Sequence, residues 1–330
     1  MQSFPPQPLL TRLPLKSSKE IFRFGGRLIG ERIRDHSSHW WWSRFSGAEA
    51  GRVLCYSSGE RRPNAPLSRR MELTSPSYLA KEKVQTVQDY VLFCGQAVGN
   101  LFRKPFYFAD MVQQADLIGV GSLPIVLLTG FFTGAVLSLQ TSNTLERFGS
   151  ITLVGQLVST SMVRELGPVL TGLMVAGRNA SGMASELGSM IVTEQIDAMR
   201  ALGTDPMKKL VTPRVSATVF MLFFLTIISD LVGLTGGLFI AKLLLRLDAR
   251  QYWSNAWQTL VFQDVFMGLV KPVLFGFIIA TVGCFYGMSA RGGTQGVGRA
   301  TTQAVVAASV LILAVDLILT RLLMAVLTFH

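Results

Sequence analysis

Ionisable residues set in apolar surroundings are where this chain could do chemistry. Arg164 and Glu165 stand side by side in a stretch rich in Leu, Val and Gly, followed by Gly167 and Pro168. Asp230, Asp316 and Arg321 interrupt other apolar runs, and Lys271 sits at the edge of one. A charge at the centre of a bilayer costs about 2.5–3.5 kcal/mol on insertion scales, so such residues face a cavity or a partner. Adjacent helix positions point to different faces, so Arg164 and Glu165 each need a partner of their own. Pro168 removes a backbone donor and Gly167 permits bending, which predicts a kinked, charged helix. Such a helix suits a polar pocket or gate, and equally an ion pair between helices. Lys271 reads as a cation that snorkels to the interface.

The second polar feature runs from Thr193 to Arg214, between two apolar runs. Glu194, Gln195 and Asp197 open a short helix and Arg200 lies toward its end, in agreement with the helix dipole. Gly203 is placed to cap it, and Asp205-Pro206 forces a turn. A capped helix with sharp turns at both ends is a rigid lever; the plain alternative is a polar loop.

Other chemistries find no residues. No GxxxxGK[ST] occurs, so the chain has no phosphate loop of its own. The run from Gly292 to Gly298 lacks the lysine and reads as a flexible turn entering the last apolar segment. His36, His39 and His330 form no constellation with Ser or Asp, and Cys55, Cys94 and Cys284 lie far apart with no CxxC pair. No catalytic residue, metal ligand or cofactor is expected, and the chain reads as a non-enzyme.

The elements that must hold these residues are membrane helices. Hydrophobic residues make up 49% and charged residues 15% of the 330, against about 25% charged in a soluble domain. Roughly 20 apolar residues at 1.5 Å each cross a bilayer core. The sequence predicts five such spans, within Leu117–Thr141, Leu157–Met190, Val215–Ala241, Val265–Ser289 and Thr302–Leu327. Ahead of them Val84, Val87, Val91, Cys94, Val98 and Leu101 form one apolar stripe, which predicts an amphipathic helix in the membrane interface. A second amphipathic piece is expected up to Asp116. Gly130/Gly134, Gly233/Gly237 and Gly283/Gly287 have the spacing that lets helix backbones approach closely. They serve packing within one subunit or a seam between two.

The basic excess of the +11 net charge sits mostly in the N-terminal quarter. With the membrane segments that follow, it points to targeting and topology and away from nucleic acid. Arg- and Ser-rich, acid-poor leaders are typical of organelle transit peptides. Residues 1–77 are therefore expected to be a leader, or else a disordered basic tail, and residues 78–330 the membrane domain. Lys and Arg crowd the side that carries the 178–214 segment, which predicts that side, with the N-terminus, as the positive-inside face.

Several ordered motifs carry a family resemblance: REL-GP at Arg164 to Pro168, AGR at Ala176 to Arg178, SELGSM at Ser185 to Met190, TEQIDAMRALGTDP at Thr193 to Pro206, and GVGRATTQAVV at Gly296 to Val306. The chain resembles the MlaE-type permease subunits of ABC lipid transporters, and with its leader the plant chloroplast branch of that family. The resemblance implies an all-α membrane fold with a coupling helix between the second and third spans. It implies a homodimer, two separate ATPase subunits and an MCE-class lipid-binding partner. Glu194, Gln195, Asp197, Arg200, Gly203, Asp205 and Pro206 would form the coupling helix that docks the ATPase. Arg164, Glu165 and Pro168 would border a lipid pocket or gate. The cargo would be a phosphatidic-acid-like or diacylglycerol-type lipid crossing the chloroplast inner envelope, with the coupling helix toward the stroma. The rival reading is a self-contained carrier using Glu165, Asp230 and Asp316 as a proton relay.

Overall fold

A computed structural model of the chain describes residues 76–101 and 107–328. The expected leader falls outside the described residues except for its last two positions, which begin a helix. Among the described residues the fold is helical throughout. Helix α1 spans Pro76–Leu101 and α2 spans Phe108–Arg147. A long helical run follows, built from α3 (Val154–Ser161), α4 (Gly167–Val175) and α5 (Ser181–Val192). The short α6 spans Gln195–Ala201, α7 Thr212–Leu243, α8 Ala249–Thr259, α9 Phe262–Met288 and α10 Gly293–Thr328.

Among the described residues four helices are long and apolar enough to cross a membrane: Phe108–Arg147, Met207–Leu243, Phe262–Met288 and Gly293–Val326. The protein is therefore a multi-pass membrane protein. The remaining expected span, Leu157–Met190, is not one uniform helix. It is divided by π-helical turns at Met162–Leu166 and Ala176–Ala180. The first has a visible cause. Pro168 offers no N–H, and the Gly167 N–H reaches back to the Met162 carbonyl in a widened turn. One extra residue thus absorbs the proline that would otherwise clash with the preceding turn. The kink forecast for this segment is a local bulge in a continuing helix.

Two other expectations change. Asp116 does not end a separate amphipathic piece, since α2 is unbroken from Phe108 through Pro124 to Arg147. The glycine-rich stretch is mostly helix: only Gly292 and Gly293 take positive φ, and α10 already includes Gly296 and Gly298.

The glycine pairs bring helices together within the chain. A Cβ at Gly134 would run into the Gly233 carbonyl, and one at Gly130 would lie 2.9 Å from the Ser229 carbonyl oxygen. The backbones of α2 and α7 therefore touch. Gly283 and Gly287 do the same for α9 against the second π-helical turn and α5, with Cβ positions 3.1 Å from the Ala180 Cα and 2.9 Å from the Leu187 Cβ. These surfaces are filled by the chain's own helices, so a seam between two copies must use other faces. The main core cluster joins Val126 of α2, Val175 of α4, Leu222 of α7, Phe275 and Ile279 of α9 and Ile312 of α10. On α1, Val84, Val87, Val91 and Val98 are exposed, as a stripe facing lipid must be, while Ala97 is buried and Tyr90 shares a 2.9 Å hydrogen bond with Thr281.

At one end of the bundle sits α6; at the other sits α8. Asp248 caps α8 by accepting from the Arg250 N–H at 3.4 Å. Tyr252, fully buried, donates its hydroxyl to the Leu234 carbonyl of α7 at 3.3 Å. Burial pushes the Tyr252 phenol above its ordinary pKa, which keeps it a neutral donor.

Candidate functional site

Five charged residues inside the bundle pair in two clusters. Arg164 donates its Nε to Asp264 Oδ1 at 2.6 Å. Asp264, in the first turn of α9 and buried, also accepts from the Val261 N–H at 3.3 Å. Glu165, on the adjacent face, receives Lys271 Nζ at 2.6 Å and the Thr320 hydroxyl at 3.1 Å. Lys271 pairs in addition with Asp316 at 2.9 Å. The widened turn at Met162–Leu166 thus sends Arg164 and Glu165 to two different sites on α9, and Glu165 also reaches α10.

Lys271 corrects the snorkelling reading. It is fully buried and is shared by two carboxylates. Asp264 and Thr320 were missed by sequence reasoning. A signal was present: Asp264 and Lys271 lie seven residues apart on one face of an apolar helix and complement the adjacent Arg164-Glu165 in sign. Asp316 and Thr320, four apart, share a face of α10 in the same way. Asp230 stands apart from both clusters. It packs against the Gly167 backbone, in the space a side chain would occupy, and its Oδ1 has no hydrogen-bond partner among the described residues.

Beside the widened turn lies an apolar groove. One hollow of about 290 Å³ is lined by Phe132, Thr133, Val136, Leu137, Gln140 and Leu166. A second of about 250 Å³ adds Leu128, Thr129, Leu170 and Met174 and shares Phe132 and Thr133 with the first. The two join along α2 and α4. Leu166 faces this groove, whereas Arg164 and Glu165 are turned to Asp264 and Lys271 and Pro168 is buried.

At the α6 end the chain is braced. Glu194 enters α6 in the left-handed region at φ 59 and Gly203 leaves it at φ +76. The Gly203 N–H bonds the Arg200 carbonyl and the Thr204 N–H bonds the Met199 carbonyl, both at 3.0 Å. That pair of bonds is a Schellman cap, and its left-handed position suits glycine. Asp205 Oδ1 then accepts from the Met207 N–H at 3.0 Å, which fixes the turn through Pro206. Ile196 is buried and anchors the helix, while Leu202 is 83% exposed. Asp197 and Arg200 pair at 3.1 Å on the solvent face. Glu186 of α5 meets Arg214 of α7 at 2.8 Å, and Lys209 meets Asp110 of α2. These pairs tie α5 to α7 and the Met207–Val211 turn to α2, in the segments that flank α6.

Comparison with known proteins fits this arrangement. The family description "Permease MlaE" matches residues 111–322. A probable ABC transporter permease protein of Rickettsia typhi is 42% identical over 73% of this chain and 93% of its own length. The MlaE permease protein of the Haemophilus influenzae intermembrane phospholipid transport system is 36% identical over 68% of this chain and 87% of its own. The chloroplastic protein TRIGALACTOSYLDIACYLGLYCEROL 1 of Arabidopsis thaliana is 33% identical over 78% of this chain and 73% of its own. With a matching family description across most of the helical region and these relatives, the chain belongs to the MlaE permease family.

Proposed function

We propose that this chain is the membrane permease of an ABC-type phospholipid transporter and carries no catalytic residue itself. The observation that carries the reading is the groove between α2 and α4. It is apolar, open to the side and adjoins the widened turn, so it suits acyl chains, and no group that could act on a cargo lines it. Energy enters at α6. A separate ATPase subunit docks on Asp197, Arg200 and the exposed Leu202, with Glu194, Gln195, Gly203, Asp205 and Pro206 holding the helix at a fixed angle. The ATPase drives transport only by favouring one arrangement of the helices over another. The struts Glu186–Arg214 and Lys209–Asp110 carry that preference to α2, one wall of the groove, and to α5, which continues the run that forms the other wall. The Arg164 and Glu165 clusters keep α9 and α10 attached while the groove changes shape.

The partners in this reading are a second copy of the chain, an MCE-class lipid-binding subunit and the ATPase. The likeness to a chloroplastic relative and the basic leader support a plastid location, in the inner envelope with α6 toward the stroma. The cargo is a phosphatidic-acid-like or diacylglycerol-type lipid. Affinity purification of the full chain from native membranes, with mass spectrometry of co-purified proteins and lipids, tests this directly. An ATPase and a diacyl lipid are expected. Gradient-driven transport by the chain reconstituted alone would instead establish the self-contained carrier.

A further inference from the structure

Arg178 lies outside both charge clusters. It lies in the second widened turn, Ala176–Ala180, and is exposed. Its NH1 donates to the Ser122 hydroxyl at 3.1 Å and to the Leu117 carbonyl at 3.5 Å. Asn179, buried, donates to the same hydroxyl at 3.4 Å. Among the described residues no carboxylate lies within ion-pairing distance of Arg178, whereas Arg164, Lys209, Arg214 and Lys271 each have one. A guanidinium carries five donors, and the hydrogen bonds that Arg178 makes among the described residues are those of NH1.

Its position relative to the groove is specific. On the segmented run, Leu166, Leu170 and Met174 line the groove, and Arg178 follows Met174 by one turn. On α2, Gly121, Ile125, Leu128, Phe132 and Val136 also share one. The guanidinium lies over Gly121, in the space a side chain there would fill. Arg178 and Gly121 thus lie beyond Met174 and Leu128, the residues that line the groove nearest the α6 end. Arg178 is eight residues, about 12 Å, from Glu186, deeper than the charged struts and thus in a layer where an unpaired charge is expensive.

We infer that Arg178 is the headgroup site of the groove and selects a phosphate-bearing diacyl lipid over neutral diacylglycerol. The planar guanidinium suits two phosphate oxygens at once, and the acyl chains run from there along Phe132 and Leu170. This rests on the permease reading and narrows its cargo.

The test uses the full chain in phosphatidylcholine nanodiscs containing photoactivatable phosphatidic acid or photoactivatable diacylglycerol at equal mole fraction. Cross-links are mapped on α2 and α4. In the wild type, phosphatidic acid is expected to label Phe132 and Leu170 more strongly than diacylglycerol. Arg178→Gln should lower phosphatidic acid labelling about tenfold and leave diacylglycerol labelling unchanged. Gly121→Ala should have the same effect, because its methyl group displaces only the flexible end of Arg178 and spares the fold. Arg178→Lys should recover part of the loss. Phosphatidic acid labelling in Arg178→Gln within about twofold of wild type would overturn the assignment. So would equal loss of both lipids, or dissociation of a dimer on Arg178→Gln, which would make a carboxylate of a second copy the acceptor. If neither lipid labels the wild-type groove, the permease reading itself fails with it.

Discussion

Replacing Lys271 by methionine tests the buried charge cluster most sharply. The ammonium is fully buried and holds Glu165 at 2.6 Å and Asp316 at 2.9 Å. Methionine keeps the volume and removes the charge, so two carboxylates face each other with no counter-ion. Breaking a buried pair by removing one partner costs roughly 3–5 kcal/mol. The two carboxylates do not contribute equally. The Glu165 side chain is 39% exposed and the Asp316 side chain 16%, so solvent screens the first more and the loss falls at the lower end, about 3 kcal/mol. That is about a hundredfold in the folding equilibrium. The assay is reversible unfolding of the full chain in mixed micelles, compared with Glu165→Gln/Lys271→Met/Asp316→Asn. The triple variant removes all three charges and is expected to recover most of the stability. Two results would refute the reasoning: a single variant within about 1 kcal/mol of wild type, or a triple variant as unstable as the single.

The other predictions concern the bulge, the helix contact and the lever. Arg164→Ala strands the buried Asp264 carboxylate and should cost about 3 kcal/mol, with Asp264→Asn in the same chain restoring part of it; loss of bound lipid at unchanged stability would show instead that Arg164 serves the groove. Gly134→Ala drives a methyl group into the Gly233 carbonyl and should cost about 1–3 kcal/mol as α2 and α7 separate, which the same unfolding assay reads; wild-type stability would mean these backbones do not touch. Gly203→Pro cannot adopt φ +76 and removes the N–H bonded to Arg200, so ATPase co-purification and lipid-stimulated ATP hydrolysis should be lost while the permease remains folded. Unchanged ATPase recovery would remove α6 from its proposed role. Gly203→Ala should be milder, about 1–2 kcal/mol of local strain, visible as weaker ATPase binding.

Features that depend on local pattern were legible in the order of residues. Apolar run lengths specified the membrane helices. Acidic residues at the start and basic residues at the end of the Thr193–Arg214 segment, with Gly203 after them, specified α6 and its cap. Ordered motifs from Arg164 to Val306 specified the family. Adjacent Arg164 and Glu165 even required two separate partners, because neighbours on a helix diverge. Which partners they take was decided only in three dimensions, since Asp264, Lys271 and Asp316 lie about a hundred or more residues away. Burial of Lys271 is likewise a property of the packing of α9 against the segmented run and α10, invisible to a window of sequence in which it sits beside Pro272. The glycine pairs offered two uses, and only the contact of α2 with α7 chose between them. Arg178 was legible as a charge but not as an unmatched one. A sequence shows which charges are present, whereas the fold decides which are neutralised, because Coulomb attraction acts across ångströms of space and not along the chain.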